Sequence, residues 1–231
     1  MSLRSSSLER CQSFIDSNFI KPREVSQRVP LALTISRQTY SRSHEMAEEL
    51  IRLLDKDSIL GKSRWALFDR DLVHKILEDH HLPKTLARYM PEDRDHDLYG
   101  VINEILGVHP SLWDLFHHTC DTIHKLALTG NVILIGRGAH IVTRNLPHVV
   151  HVRVVSPMEK RVENAVSTLE ISHQVAAKRL LKEDQTSNAF IRSHFDELPE
   201  NPLAYHMTLN LGQMNPVDAA GTIHAFMKRS V

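Results

Sequence analysis

The chain has 231 residues, 42% of them hydrophobic and 24% charged, and its formal net charge is zero. A chain of this length predicts one domain, with or without insertions, and a sizeable buried core. The balanced charge gives no electrostatic reason to expect a nucleic-acid partner, and no apolar run approaches a membrane span. Two cysteines, Cys11 and Cys120, make no disulfide framework and point to a reducing, cytoplasmic setting.

Residues 1–28 read as an accessory segment. Glu9 and Asp16 interrupt the Arg4 to Ser7 start and no apolar stretch follows, so no signal peptide is expected. Leu8, Cys11, Phe14, Ile15 and Phe19 fall at loose helical spacing, and Lys21-Pro22 ends that helix. From residue 29 onward apolar runs and helical periodicities alternate. The predicted strands are Leu31–Ser36, Trp65–Phe68, Val132–Gly136, Val149–Val155 and Met207–Leu211. The predicted helices are His44–Leu54, Arg70–Glu78, Leu112–Leu128, Met158–Leu169, Val175–Glu183 and Val217–Lys228. Strand alternating with helix predicts an α/β fold: about five parallel strands with helices on both faces, in three layers. Ser156-Pro157-Met158-Glu159 and Asn215-Pro216-Val217-Asp218 each offer a capping residue followed by proline, and Gly130 stands where a helix must stop. The polar stretch 83–110 reads as an insertion over the sheet.

Three segments carry chemical signals. Leu31 to Leu50 has the layout of a phosphate-binding strand–loop–helix, but its loop, Arg37-Gln38-Thr39-Tyr40-Ser41-Arg42-Ser43-His44, contains neither glycine nor lysine. Gly61-Lys62-Ser63 imitates the end of a phosphate-loop motif, yet it leads into an apolar strand instead of opening a helix and reads as a turn. Val132 to Gly138 runs a buried strand into a Gly136-Arg137-Gly138 turn at its C-terminal end, where open parallel sheets bind ligands. Glycine permits close backbone approach, and arginine offers a fixed fork for phosphate or carboxylate. The alternative is a plain turn whose arginine pairs with a nearby acid. His117, Asp121 and His124 would share a helix face, but Trp113, Phe116, Cys120, Ile123 and Ala127 account for that helix as a buried stripe with flanking histidines, and no metal site is predicted.

From Pro30 to Ile223 the chain resembles the cytidylate kinase-like family, a branch of the P-loop nucleoside monophosphate kinases. The resemblance rests on Thr34-Ile35-Ser36-Arg37, Leu67 to Val73, Met90-Pro91-Glu92-Asp93-Arg94, Gly136-Arg137-Gly138-Ala139, His151-Val152-Arg153-Val154, Glu159-Lys160-Arg161 and Lys182-Glu183-Asp184. It implies a P-loop-kinase-like domain over 29–231, with the 83–110 insertion on the acceptor side and a lid within 157–200. It implies ATP and Mg²⁺ as cofactors if the protein is active, and a nucleotide or other phosphorylated small molecule as ligand. Carried over by position, Ser36, Arg37, Ser41, Arg42, Ser43 and His44 fall in the ATP phosphate loop. Asp69, Arg70, Gly136 and Gly138 fall at the acceptor site. Arg137, Arg161, Asp184 and Arg192 would be the catalytic set.

The departures fall where phosphoryl transfer needs donors and positive charge. Tyr40, Arg42 and Ser43 replace the small residues of the family's loop, and any positive φ there would strain them. Gln185 to Ala189 stands where the family's lid carries arginines. Two functions follow from the resemblance: phosphoryl transfer from ATP to a nucleoside monophosphate or similar small acceptor, and a catalytically weak or inactive nucleotide-binding module with a regulatory or structural role. Ser41, Ser43 and Arg42 offer side-chain donors that would partly replace the missing backbone ones.

Overall fold

The computed structural model describes residues 29–60, 64–69 and 112–230, except for the side chains of 112–115 and 118. The accessory segment, Gly61-Lys62-Ser63, Arg70 and its helix, Met90 to Arg94 and the 83–110 insertion lie outside those residues. All five predicted strands are present: β1 (Ala32–Arg37), β2 (Ala66–Phe68), β3 (Val132–Ile135), β4 (Val149–Val155) and β5 (Met207–Asn210). They form one parallel sheet in the order β2-β3-β1-β4-β5. The helices are α1 (Ser43–Lys56), α2 (Leu112–Thr129), the short α3 (Ala139–Val142), α4 (Met158–Leu169), α5 (His173–Phe195) and α6 (Pro216–Arg229).

Alternation along the strands sorts the core into two layers. Leu33 and Ile35 of β1 pack with Val150, Val152 and Val154 of β4 against Met46, Leu50 and Leu54 of α1 and Ile223 and Met227 of α6. Ala32, Val132, Leu134 and Val149 face the other way, against Ile123, Leu126 and Ala127 of α2. On that second face β1 and β4 also carry Thr34, Ser36, His151 and Arg153, all buried. A third, smaller core joins α4 to α5 through Val162, Ala165, Ala176 and Leu180.

Helix ends explain where the sequence reading holds and where it fails. Asn215 caps α6 as expected, its side chain accepting from the Asp218 N–H at 2.9 Å. Ser156 does not cap α4: Pro157 occupies the N-cap position without a side-chain bond, while the Ser156 N–H donates to Gln38 Oε1 at 3.0 Å. The helix expected at Val175–Glu183 runs on to Phe195. Asp57, just past α1, accepts from the Ile59 and Leu60 N–H groups and from His224 and Lys228 of α6. The two backbone bonds first, then Lys228, hold its carboxyl well below the usual range, and the bonds with His224 and Lys228 tie the end of α1 to α6.

Gly130 ends α2 with φ +71°, and a Cβ there would meet the Pro30 carbonyl. Gly130→Ala combines left-handed strain with that clash. It is expected to lower unfolding stability by about 2–3 kcal/mol in urea titration. A loss within the ~0.5 kcal/mol scatter of neutral surface changes would contradict this reading of the turn.

Candidate functional site

The loop from Ser36 to His44 leaves the C-terminal end of β1 and enters α1. Its first residue is held inside the sheet: Ser36 Oγ accepts from Arg153 Nη1 at 2.8 Å and bonds the Tyr205 hydroxyl at 3.2 Å. The Gln38 N–H donates to the Val154 carbonyl, which fixes the exit from the strand. Tyr40 and Arg42 then adopt left-handed backbone, with φ of 56° and 63°. Each costs on the order of 1 kcal/mol or more for a residue with a Cβ.

Contacts with α4 and α5 hold Tyr40 in that shape, whereas Arg42 has an exposed partner in α1. The Tyr40 carbonyl accepts from Asn164 Nδ2 at 2.9 Å, and its side chain packs on the α4–α5 core. Arg42 turns its guanidinium onto Glu45, one turn into α1, at 2.6 Å, and both side chains are exposed. An exposed pair of this kind contributes little stability, but it occupies the cation with a carboxylate. Arg42, expected as a phosphate donor, is thus paired with Glu45 in this structure. Ser41 and Ser43 are buried, and the Ser41 hydroxyl has no hydrogen-bond partner. No side chain caps α1, so its first-turn N–H groups point into the loop unopposed. His44 Nε2 bonds Asp69 Oδ2 at 2.8 Å, joining the start of α1 to the end of β2.

Beside this loop, Gly136, Arg137 and Gly138 are three consecutive left-handed residues, with φ of 82°, 57° and 68°. The Gly136 N–H donates to the Ile35 carbonyl, which sets the turn against the end of β1. The two glycines serve different ends. Space beside Gly136 is open, whereas a Cβ on Gly138 would strike the Phe195 ring. Gly138 is thus required by packing of the α5 terminus.

The remaining expected residues divide. Arg161 of α4 is buried and donates from Nη1 to Asp184 Oδ2 at 2.7 Å. Asp184 of α5 also accepts from the Thr39 hydroxyl at 3.1 Å. Loop, α4 and α5 therefore meet at a single carboxylate. Arg192 does not join them: it is exposed and eight residues further along α5, about 12 Å away along the axis. Gln185 to Ala189 forms an ordinary stretch of helix, where Asn188 bonds Glu200. The far end of α5 is pinned to α2 by rings, with Phe116 centred 5.1 Å from Phe195 and 4.6 Å from His194.

Sequence reasoning missed Thr39, Asn164, Arg153, Tyr205 and His140 as site residues. Only Arg153 carried a signal, a charged residue inside an otherwise apolar strand. His140 is stacked on Tyr205 and bonds its hydroxyl at 3.1 Å; His151 bonds the Thr34 hydroxyl at 2.7 Å. Burial pushes both imidazoles down to about 4. His151, Arg153 and Arg144 add to the shift at His140, and His206 adds to it at His151. Among the described residues no group of three or more His, Cys, Asp or Glu side chains is placed to hold a metal, and no helix is long and apolar enough to cross a membrane.

A five-stranded parallel sheet with helices on both faces, its β1 joined to α1 by a loop at the C-terminal end of the strand, is a P-loop-kinase-like fold. The cytidylate kinase-like family model matches residues 32–213, and the chain belongs to that family. Among solved structures, an uncharacterised protein from Eubacterium ventriosum superposes with a TM-score of 0.62 at 13% identity, covering 86% of this chain and 98% of its own. A Thermus thermophilus protein (TM-score 0.44, 12% identity, 87% and 98% coverage) and a gluconokinase from Sinorhizobium meliloti (TM-score 0.45, 10% identity, 88% and 94% coverage) are more distant. Among curated proteins no sequence is significantly similar to this chain.

The buried histidines set a pH dependence. An unfolded histidine takes up its proton near pH 6.5, and the folded His140 and His151 refuse it until about pH 4. The unfolded state therefore binds more protons in that window, and stability falls as pH drops from 6.5 to 4. Urea titrations should show wild type losing on the order of 2 kcal/mol more across that window than a His140→Gln/His151→Gln variant. Parallel profiles would contradict the assignment.

Proposed function

We propose that this chain binds the phosphates of ATP·Mg²⁺ in the Ser36–His44 loop and a second phosphorylated small molecule, of the nucleoside monophosphate class, beside Gly136-Arg137-Gly138. We propose further that phosphoryl transfer between them is slow or absent, so that binding is the function. One observation carries the reading. The loop keeps left-handed turns at Tyr40 and Arg42, while the side chains of both are committed elsewhere, to the α4–α5 core and to Glu45. The turns support phosphate binding by the loop, and the Arg42–Glu45 pair counts against Arg42 as a donor.

The residues present fit a phosphate group. Ser41 supplies a buried, unpartnered hydroxyl, and the uncapped N-terminus of α1 supplies backbone N–H groups. When bound, Mg²⁺ would neutralise charge on the nucleotide phosphates. Catalysis of transfer is mostly positioning and charge stabilisation, so it needs cations around the transferred group. Arg161 is paired with Asp184, Arg192 is distant and Arg42 faces Glu45. The left-handed turn that carries Arg137 at the C-terminal end of β3 supports the second reading, an active transferase acting on a cytidylate-like acceptor.

Calorimetry with ATP·Mg²⁺ and with nucleoside monophosphates, alongside an ADP-release assay, separates the two. The first reading expects saturable ATP binding with turnover far below the roughly 1–100 s⁻¹ of working kinases. It also expects Arg137→Ala to weaken monophosphate binding by about 1.5–3 kcal/mol. Turnover inside that range would establish the active transferase. No binding of either ligand would remove both readings.

A further inference from the structure

The sheet face that carries α2 is apolar over β3 but polar over β4. There Thr34 pairs in register with His151, and Ser36 with Arg153. A pocket of about 470 Å³ opens at this patch, with His140, Arg144, His151, Glu197, Tyr205 and His206 in its wall. That volume lies within the range of small-molecule sites.

The charges around the pocket do not balance. Arg153 is 7% exposed, and among the described residues its hydrogen bond is to the Ser36 hydroxyl, with the Tyr205 ring centred 5.8 Å from its guanidinium carbon. Among the described residues no carboxylate pairs with it. Glu197, the acid in the pocket wall, is already bound to Arg144 at 2.5 Å. Burying a guanidinium without a counter-charge costs several kcal/mol, so such groups are ordinarily found with an anion. The low proton affinity of the neighbouring His140, caused by burial first and then by His151, Arg153 and Arg144, reports the same positive surroundings.

We propose that this pocket is a binding site for a small oxyanion, the phosphate or carboxylate of a small molecule. Arg144 would hold it from the wall, Arg153 would supply positive charge from behind Tyr205, and the His140 ring, in the same wall, would sense the bound charge. The proposal does not depend on nucleotide binding in the loop. The two sites are nevertheless connected, because Ser36 is bonded to both Arg153 and Tyr205. A ligand here would bear on the first residue of the phosphate loop.

Histidine ring NMR of the full chain tests this, with the His140 signal assigned by its loss in His140→Gln. Inorganic phosphate and succinate are titrated separately, which distinguishes the two sources of the oxyanion. The expected result is a saturable His140 shift with at least one of them, at a Kd of about 1 mM. Arg153→Gln should abolish the shift. Arg144→Gln, a change at an exposed side chain that leaves Glu197 unopposed, should weaken it at least tenfold even if Arg153→Gln fails to fold. Ser41→Ala should leave it in place. No shift with either anion, a shift unchanged in Arg144→Gln, or one lost in Ser41→Ala would overturn the proposal, the last by assigning the anion to the phosphate loop.

Discussion

The carboxylate of Asp184 holds the phosphate loop and the α4–α5 hairpin in one arrangement. One oxygen accepts from Thr39 of the loop, the other from the buried Arg161. Removing that acceptor would leave a guanidinium in the interior without a counter-charge, which is far more costly than the pair is stabilising. Tyr40 adds a packed side chain to the same junction, and Asn164 a bond to its carbonyl. In a glycine-rich loop the backbone adopts left-handed turns at little steric cost. Here the turn at Tyr40 persists because neighbouring elements over-determine it.

Two further anchors act on the same body. Phe195 fills the space beside Gly138, and Tyr205 ties the segment after α5 to Ser36 and to the Pro199 carbonyl. The hairpin is thus fastened at its junction with the loop and again where α5 ends. A ligand shifts a conformational equilibrium only by its differential affinity for the two states. A hairpin already fastened leaves a nucleotide little to gain by closing it, which accords with binding unaccompanied by efficient transfer.

The first four strands were legible because buried parallel strands read as largely apolar runs, the edge strand β5 showed alternating Met207 and Leu209, and Gly130 and Asn215 marked helix ends by their chemistry. The second half of α5 was not legible: Gln185 to Ala189 is polar and mostly exposed, so its apolar periodicity fades before Phe190 and Ile191 resume it. Four residues are too few for α3 to show a period. Ser156 looked like a cap but belongs to the buried end of β4. The phosphate loop was legible as a layout and as a set of departures, including the strain at Tyr40 and Arg42. The partners of those residues were not, since Asn164, Asp184 and the α4–α5 core meet the loop only through tertiary packing. Arg153 stood out as a charge in an apolar strand, but its partners Ser36 and Tyr205 are brought to it only by the sheet and by the chain after α5.

Fastening of the hairpin in the ligand-free protein is the central claim, and a distance measurement tests it most directly. Ile59, after α1, and Leu181, on α5, are both exposed and accept spin labels once Cys11 and Cys120 are replaced. Pulsed electron resonance should give one narrow distance distribution without nucleotide and the same distribution with ATP·Mg²⁺. A broad or multiple distribution that collapses to a shorter distance on adding ATP·Mg²⁺ would contradict the account.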